Sequence, residues 1–313
     1  MTELKLLINN KMVPIITANL SFSIEQLAHS FTCTITPLEI TGPLPVSFYL
    51  DDALIFVGQI DACSISTGSI SRTQTLSGRS ISAHLIDSRI KTDALYNQKF
   101  DTLLANMVKQ FGLEVKNNVQ TSLPLIPEFQ INAESPFQNL SQIAKQQGLM
   151  LYEYNGVIRI EKPGQFRAKN LRLEQGVNLK DTTIQYNWSK LFNRYEIQGA
   201  WDNSQATVIN DSVSEYRKKV IISDKLQNQE SCQARAKYEN DLAIAQNLIV
   251  TGSVPGLQSV MNINALNKTV QFVSKQENIN ENLLIKSINI NVNGSEHSTG
   301  IELMRPFAEE PLS

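Results

Sequence analysis

Few side chains in this 313-residue sequence could hold a metal or act as a nucleophile. There are three histidines, His29, His84 and His297, and three cysteines, Cys33, Cys63 and Cys232. His29 and Cys33 lie four apart, but SFTCTITPL alternates as a strand, where that spacing only puts two side chains on one face. No second pair completes four zinc ligands. A cysteine nucleophile needs a base beside it, and nothing in the order of residues favours such a pair. His84 follows SGRSISA in a strand pattern and reads as a polar strand-face residue, while His297 in GSEHSTG reads as a solvated turn residue. Nucleophile elbow, phosphate loop, dinucleotide fingerprint and H-E-x-x-H are all absent. Ser77-Gly78-Arg79-Ser80 reads as a turn or bulge and not a phosphate loop, because no Gly-rich strand-to-helix junction surrounds it. Carboxylate pairs are inevitable among 30 acidic residues and carry no information. No catalytic, cofactor-binding or metal-ligating residue is therefore assigned, and a non-enzyme is expected.

Binding chemistry leaves fainter marks. Arg217-Lys218-Lys219 is the only basic run and reads as a solvated strand edge or helix start. Trp188 and Trp201 flank FNRYEIQG. They could anchor an interface, but core packing is the expectation, since such aromatics are usually buried. Lys plus Arg is 28 against 30 for Asp plus Glu, a net charge of −2. The charges are spread evenly along the chain, which argues against a protein that grips nucleic acid through its phosphates. Charged residues make up only 19%, and there are 28 asparagines. A polar, weakly charged surface suits subunit contacts better than a lysine-rich one. Three scattered cysteines make no disulfide framework. MTELKLLINNK lacks the features of a signal peptide, and no stretch reaches the ~20 apolar residues of a membrane span. Folding in a reducing cytoplasm is expected.

The elements that would position these residues are mostly strands. LKLLINNKMV reads as a hairpin turning at Asn9-Asn10. Phe31, Cys33 and Ile35 alternate along the next strand, VSFYLDDALIFVGQIDACSIS gives two strands about Asp51-Asp52, and SRTQTLSGRSISAHLID gives another after a turn at Thr67-Gly68. At about residue 92 the period changes. Phe100, Leu103, Leu104, Met107, Val108 and Phe111 form one face of a helix that Gly112 caps. A second helix starts at Ser135, with Pro136 in its first position, Gln138 completing a capping box, and a stripe of Phe137, Leu140, Ile143 and Ala144 ending at Gly148. LMLYEYNGVIRIEKPG is a hairpin turning at Asn155-Gly156. NLRLEQGVNL, TIQYNWSKLFNRYEIQGAW and ATVIND return to strands. Residues 229–249 read as a helix with Ala234, Tyr238, Leu242, Ala245 and Ile249 on one face, after which Gly252, Pro255 and Gly256 break the chain. Strands resume from 260, with a turn at Asn293-Gly294 and a short polar tail. The two β regions do not align as a sequence repeat.

The order of these segments is more specific than any one of them. LSGRSISAHLIDS is followed by QFGLEV, SPFQNLSQIAKQQGLMLYEYNGVIRIEKPG, LEQGVNL, FNRYEIQGAW, SVSEYRKKVIISD, CQARAKYE, ENLLIKSI and GIELMRPFA. Over nearly the whole chain this resembles the baseplate hub proteins of Mu-like contractile phage tails, relatives of the phage T4 hub, the phage P2 late-control D protein and the N-terminal part of type VI secretion spikes. GSVPGLQSVMNINALNKTVQF departs from that pattern in lacking the tryptophans expected near it. The resemblance implies a β-dominated α+β chain with two tube-type β-barrels. The first would be residues 1–91, with an α+β domain inserted over 92–164; the second would be 165–212 with 250–313, interrupted by a helical insertion over 213–249. It further implies a homotrimer whose six barrels make a pseudo-sixfold ring. That ring would join a hexameric tail tube to a trimeric central spike, beside other baseplate proteins. No cofactor, no small-molecule substrate and no sequence-specific nucleic-acid contact are implied. The location would be the virion's tail baseplate, after folding and assembly in the bacterial host cytoplasm. The hub of a tailocin or secretion device is the near alternative. A tail-associated cell-wall hydrolase or a receptor-binding β protein are the distant ones.

Overall fold

A computed structural model describes residues 2–307, apart from 70, 71, 92, 120, 121, 124, 132–134, 227 and 295. The boundary placed at residue 92 and most of the polar tail lie outside the described residues.

The chain is β-dominated. It opens with the hairpin of β1 (Leu4–Ile8) and β2 (Lys11–Val13), where Asn9 and Asn10 both take positive φ, 48° and 62°. That backbone is what a two-residue turn needs if its twist is to match the strands. β3 (Ile15–Ser23), β4 (Ser30–Ile35), β5 (Pro45–Leu50), β6 (Ala53–Thr67) and β7 (Arg72–Ser80) follow. Phe31, Cys33 and Ile35 are buried along β4 as their alternation demands. The strand read through to Asp87, however, stops at Ser80. Residues Ala83–Asp87 form a short helix, α1, that buries Ala83 and Leu85. Leu85 joins a second core, with Leu27, Leu104 and Ile158, and a continued strand would not place it there.

β8 (Leu95–Lys99), α2 (Phe100–Lys109), β9 (Glu114–Asn117), β10 (Leu125–Phe129), α3 (Pro136–Gln146), β11 (Met150–Tyr154) and β12 (Val157–Glu161) make up the α+β region around that second core. Both helices stand where the periodicity put them. The α3 capping box is present in full, with Ser135 Oγ accepting from the Gln138 N–H and Gln138 Oε1 accepting from the Ser135 N–H. Asn155 and Gly156 turn the β11–β12 hairpin at φ 48° and 85°.

The remainder comprises β13 (Phe166–Glu174), β14 (Lys180–Tyr186), β15 (Arg194–Gln198), β16 (Gln205–Ile209), β17 (Lys218–Ile222), α4 (Gln229–Ala245), β18 (Leu248–Pro255), β19 (Lys268–Ser274), β20 (Ile279–Asn293) and β21 (Glu296–Met304). The helix expected to reach 249 ends at Ala245, and Ile249 lies on β18. Gly252 and Pro255 do not break the chain but sit within β18. A Cβ at 252 would lie 2.7 Å from the Leu179 side chain, which would have to shift to admit it. Residues 218–222, placed in a helical insertion, are strand, and His297 lies on β21 rather than in a turn.

Thirteen strands join one sheet, in the order β14-β18-β21-β20-β3-β4-β7-β6-β5-β1-β2, with β19 and β13 branching from β20. β3 and β20 carry the sheet from the first β region into the second, and one core is shared by both, from Leu4 and Phe48 to Val250 and Leu303. β16, β15 and β17 form a separate sheet whose inner face packs on α4 through Ile197, Cys232 and Ala236.

Candidate functional site

His29 is buried between the first β region and the inserted one. Its Nε2 lies 2.9 Å from the Glu153 carbonyl oxygen, its backbone N–H donates to Ser80 Oγ at 3.0 Å, and Ser80 Oγ lies 2.8 Å from Ser82 Oγ. Burial without a charged partner lowers the His29 pKa to about 4. Burial likewise raises Glu153 to about 7, against hydrogen bonds from Gly156 and Ser80 that favour its anion. His29 Nδ1 has no partner. His29, Ser80, Ser82 and Glu153 are all buried, and the cluster ties the first β region to the inserted one.

Cys33 is also buried, with its thiol pushed up to about 12 by desolvation, and it lacks a base that could activate it. Cys232 is buried in α4, while Cys63 is exposed on β6. Among the described residues no three His, Cys, Asp or Glu side chains stand together as a metal site, and no helix is long and apolar enough to cross a membrane. Ser77-Gly78-Arg79-Ser80 is strand, and Arg79 pairs with Asp61 at 2.8 Å and Asp87 at 2.7 Å. A cavity of about 430 Å³ lies between β10, α3 and the start of α4. Lys225 Nζ donates to Asn139 Oδ1 at 2.8 Å on its wall, and no histidine or cysteine lines it.

Surfaces distinguish this molecule more than pockets do. Trp188 and Trp201, expected in the core, are 61% and 63% exposed. Trp188 lies in the connection from β14 to β15 and Trp201 in that from β15 to β16, and the small sheet itself has an open face. α4 covers one of its faces, while Ile209, Val220 and Ile222 on the other remain exposed, with an Arg194–Glu196 ion pair at 3.2 Å on the central strand. Trp188 stacks on Tyr186 at 5.9 Å, and its carbonyl accepts from Arg217 at 3.2 Å. The basic run opens β17 and is partly tied down, with Lys219 2.8 Å from Glu239 on α4. Both tryptophans fall in connections between strands, where alternation along a strand gives no inside or outside.

No protein-family model and no curated protein matches the sequence. Solved structures do match, over nearly all of the chain. A 43 kDa tail protein of prophage MuSo2 from Shewanella oneidensis shares 21% identity at a TM-score of 0.83, covering 97% of this chain and 98% of that one. A tail protein from Neisseria meningitidis MC58 gives 14% and 0.84, covering 97% and 96%. The E. coli c3393 protein gives 11% and 0.65, covering 98% and 78%. It is described as a type VI secretion component with structural similarity to T4 tail proteins gp27 and gp5. The chain has the fold of these tail proteins from end to end.

Proposed function

We propose that this protein is the baseplate hub of a contractile phage tail. In this reading it is a homotrimer that joins the hexameric tail tube to the trimeric central spike and works without catalysis or cofactor. The observation that carries the reading is the end-to-end likeness to phage tail proteins. The likeness to a secretion component related to gp27 supports the hub position within the tail and keeps the hub of a tailocin or secretion device as the near alternative. Residues 1–91, and 165–212 with 250–313, would carry the two tube-type barrels through their main-sheet strands, with 92–164, 213–249 and the separate small sheet of β15 to β17 outside the ring. Trp188, Trp201 and the bare face of the small sheet would then meet other baseplate proteins, since exposed aromatics beside a free sheet face are typical anchors. The virion's baseplate is the corresponding location.

The test is solution mass by light scattering over a concentration series, with negative-stain images of the same sample. A mass of three chains with ring-shaped particles is expected. A strict monomer that a candidate spike protein does not assemble would refute the hub reading.

A further inference from the structure

The small sheet of β11, β12 and β9 uses its two faces differently. Leu151, Ile158 and Ile160 point into the second core. The other face turns toward the two main β regions, and Met150 and Tyr154 carry it onto the main core. In the middle of that face Arg159 stands opposite Tyr152 on one side and Lys116 on the other. Its guanidinium carbon lies 4.0 Å from the centre of the Tyr154 ring. Asn155, next in the chain, donates from Nδ2 to the Leu54 carbonyl at 2.8 Å and so brings the first β region alongside. The second β region is held by Asn267, whose Nδ2 donates to Glu161 Oε2 at 3.0 Å and whose Oδ1 accepts from the Gly164 N–H at 3.0 Å. Lys268, which follows Asn267 and opens β19, thereby comes within reach of the Arg159 charge.

This junction of three regions holds more positive charge than it balances. Arg159 and Lys268 are both half-buried. Burial and, after it, the Arg159 charge lower the Lys268 pKa, against Glu161, which raises it. Among the described residues neither cation has a carboxylate within ion-pair distance, and Arg159 Nε is buried without a hydrogen-bond partner. Glu161 is the buried acid beside them, but amides occupy both of its oxygens: Asn118 Nδ2 donates to Oε1 at 2.6 Å, and Asn267 Nδ2 to Oε2. Glu114 shares the face but is exposed, one row further on and opposite Val157. A charge withdrawn from water without a partner is costly, and a second charge of the same sign beside it adds to the cost.

We propose that Arg159 and Lys268 form a binding site for a small oxyanion, a phosphate or a carboxylate, where the inserted region meets the two main β regions. Stacking on Tyr154 fixes the plane of the guanidinium, and its parallel N–H groups suit two oxygens of one anion. The Lys268 ammonium supplies a further donor and a point charge. Lys116, exposed beside Arg159, adds to the field that draws an anion in. The bound anion removes a repulsion inside the chain and ties β12 to β19. This site goes beyond the hub reading and does not depend on it.

The experiment is thermal melting of the full chain in sodium phosphate, sodium acetate and sodium chloride at one pH and equal ionic strength. A ligand that binds only the folded chain raises its melting temperature with concentration. Phosphate or acetate should raise that of the wild type over chloride by roughly 2 °C near saturation. A rise in both anions points to a protein carboxylate as the natural ligand, and a rise in phosphate alone to a free phosphate or phosphate ester. Arg159→Met and Lys268→Met should each lose the rise, while Lys218→Met, an equal loss of charge on the separate small sheet, should keep it. In chloride Lys268→Met should melt no lower than the wild type, because the charge it removes has no partner there; a merely structural lysine would melt lower. Should Arg159→Met fold poorly, Lys268→Met and the wild type decide the matter. No rise in either anion, or the same rise in Lys268→Met as in the wild type, overturns the site.

Discussion

His29 and Glu153 oppose each other. The His29 pKa falls from 6.5 to about 4, so its contribution to stability is complete above about pH 6.5 and is lost as the pH falls toward 4. Glu153 rises from 4.5 to about 7, so its contribution is complete below about pH 4.5 and is lost as the pH rises toward 7. Each shift corresponds to on the order of 3 kcal/mol at full extent. Over pH 4.5–6.5 the two slopes have opposite sign and largely cancel. Relative to wild type, Glu153→Gln should lose stability as the pH falls from 6.5 to 4.5, and His29→Gln should gain it. Urea unfolding of the three proteins at both pH values measures this; parallel shifts in the two variants would refute it. His29 was visible in the sequence as a metal candidate only. Its true setting, against Glu153 124 residues away, depends on how the inserted region docks on the first β region.

At the level of elements, local signals were read well where the chain itself supplies the hydrogen-bond partner or the backbone angle. Ser135, Pro136 and Gln138 specify the start of α3, and Asn9-Asn10 and Asn155-Gly156 specify hairpins, because each is settled within four residues. Ser135→Ala removes the capping oxygen and should destabilise the protein by about 1 kcal/mol, read as a lower denaturation midpoint with an unchanged slope. No change in midpoint would mean that packing alone holds the helix start. The misses have a common cause. Residues 218–222 become strand because β15 offers them a parallel partner, and α1 forms because Leu85 finds the second core. Gly252 stays in its strand because β21 pairs with it there, Gly252 opposite Ile301. Each outcome is decided by a neighbour distant in sequence.

On the scale of the whole molecule, unpaired strands and exposed apolar groups are concentrated at particular places. Ile65 is 51% exposed on the half of β6 that pairs only with β7, where a polar replacement leaves the chain's own core intact. Ile65→Asp should therefore change monomer stability by no more than about 0.5 kcal/mol while lowering the assembled mass to that of one chain. Thermal melting and light scattering of the same sample check the two halves of that expectation. A variant that still forms trimers would place the contact elsewhere.

The sequence by itself determined the β-dominated α+β class, the positions of α2 and α3, the tight hairpins and the absence of any recognisable catalytic motif. These follow from periodicity, capping and turn chemistry, which act over a few residues. The ordering of segments was enough to suggest the tail-protein architecture that the fold comparison then bore out. Only the tertiary structure decided that β3 and β20 join the two β regions into one sheet, and that Trp188 and Trp201 face outward. Strand pairing satisfies backbone groups that every residue carries alike. Its partners are therefore chosen by the geometry of the whole chain.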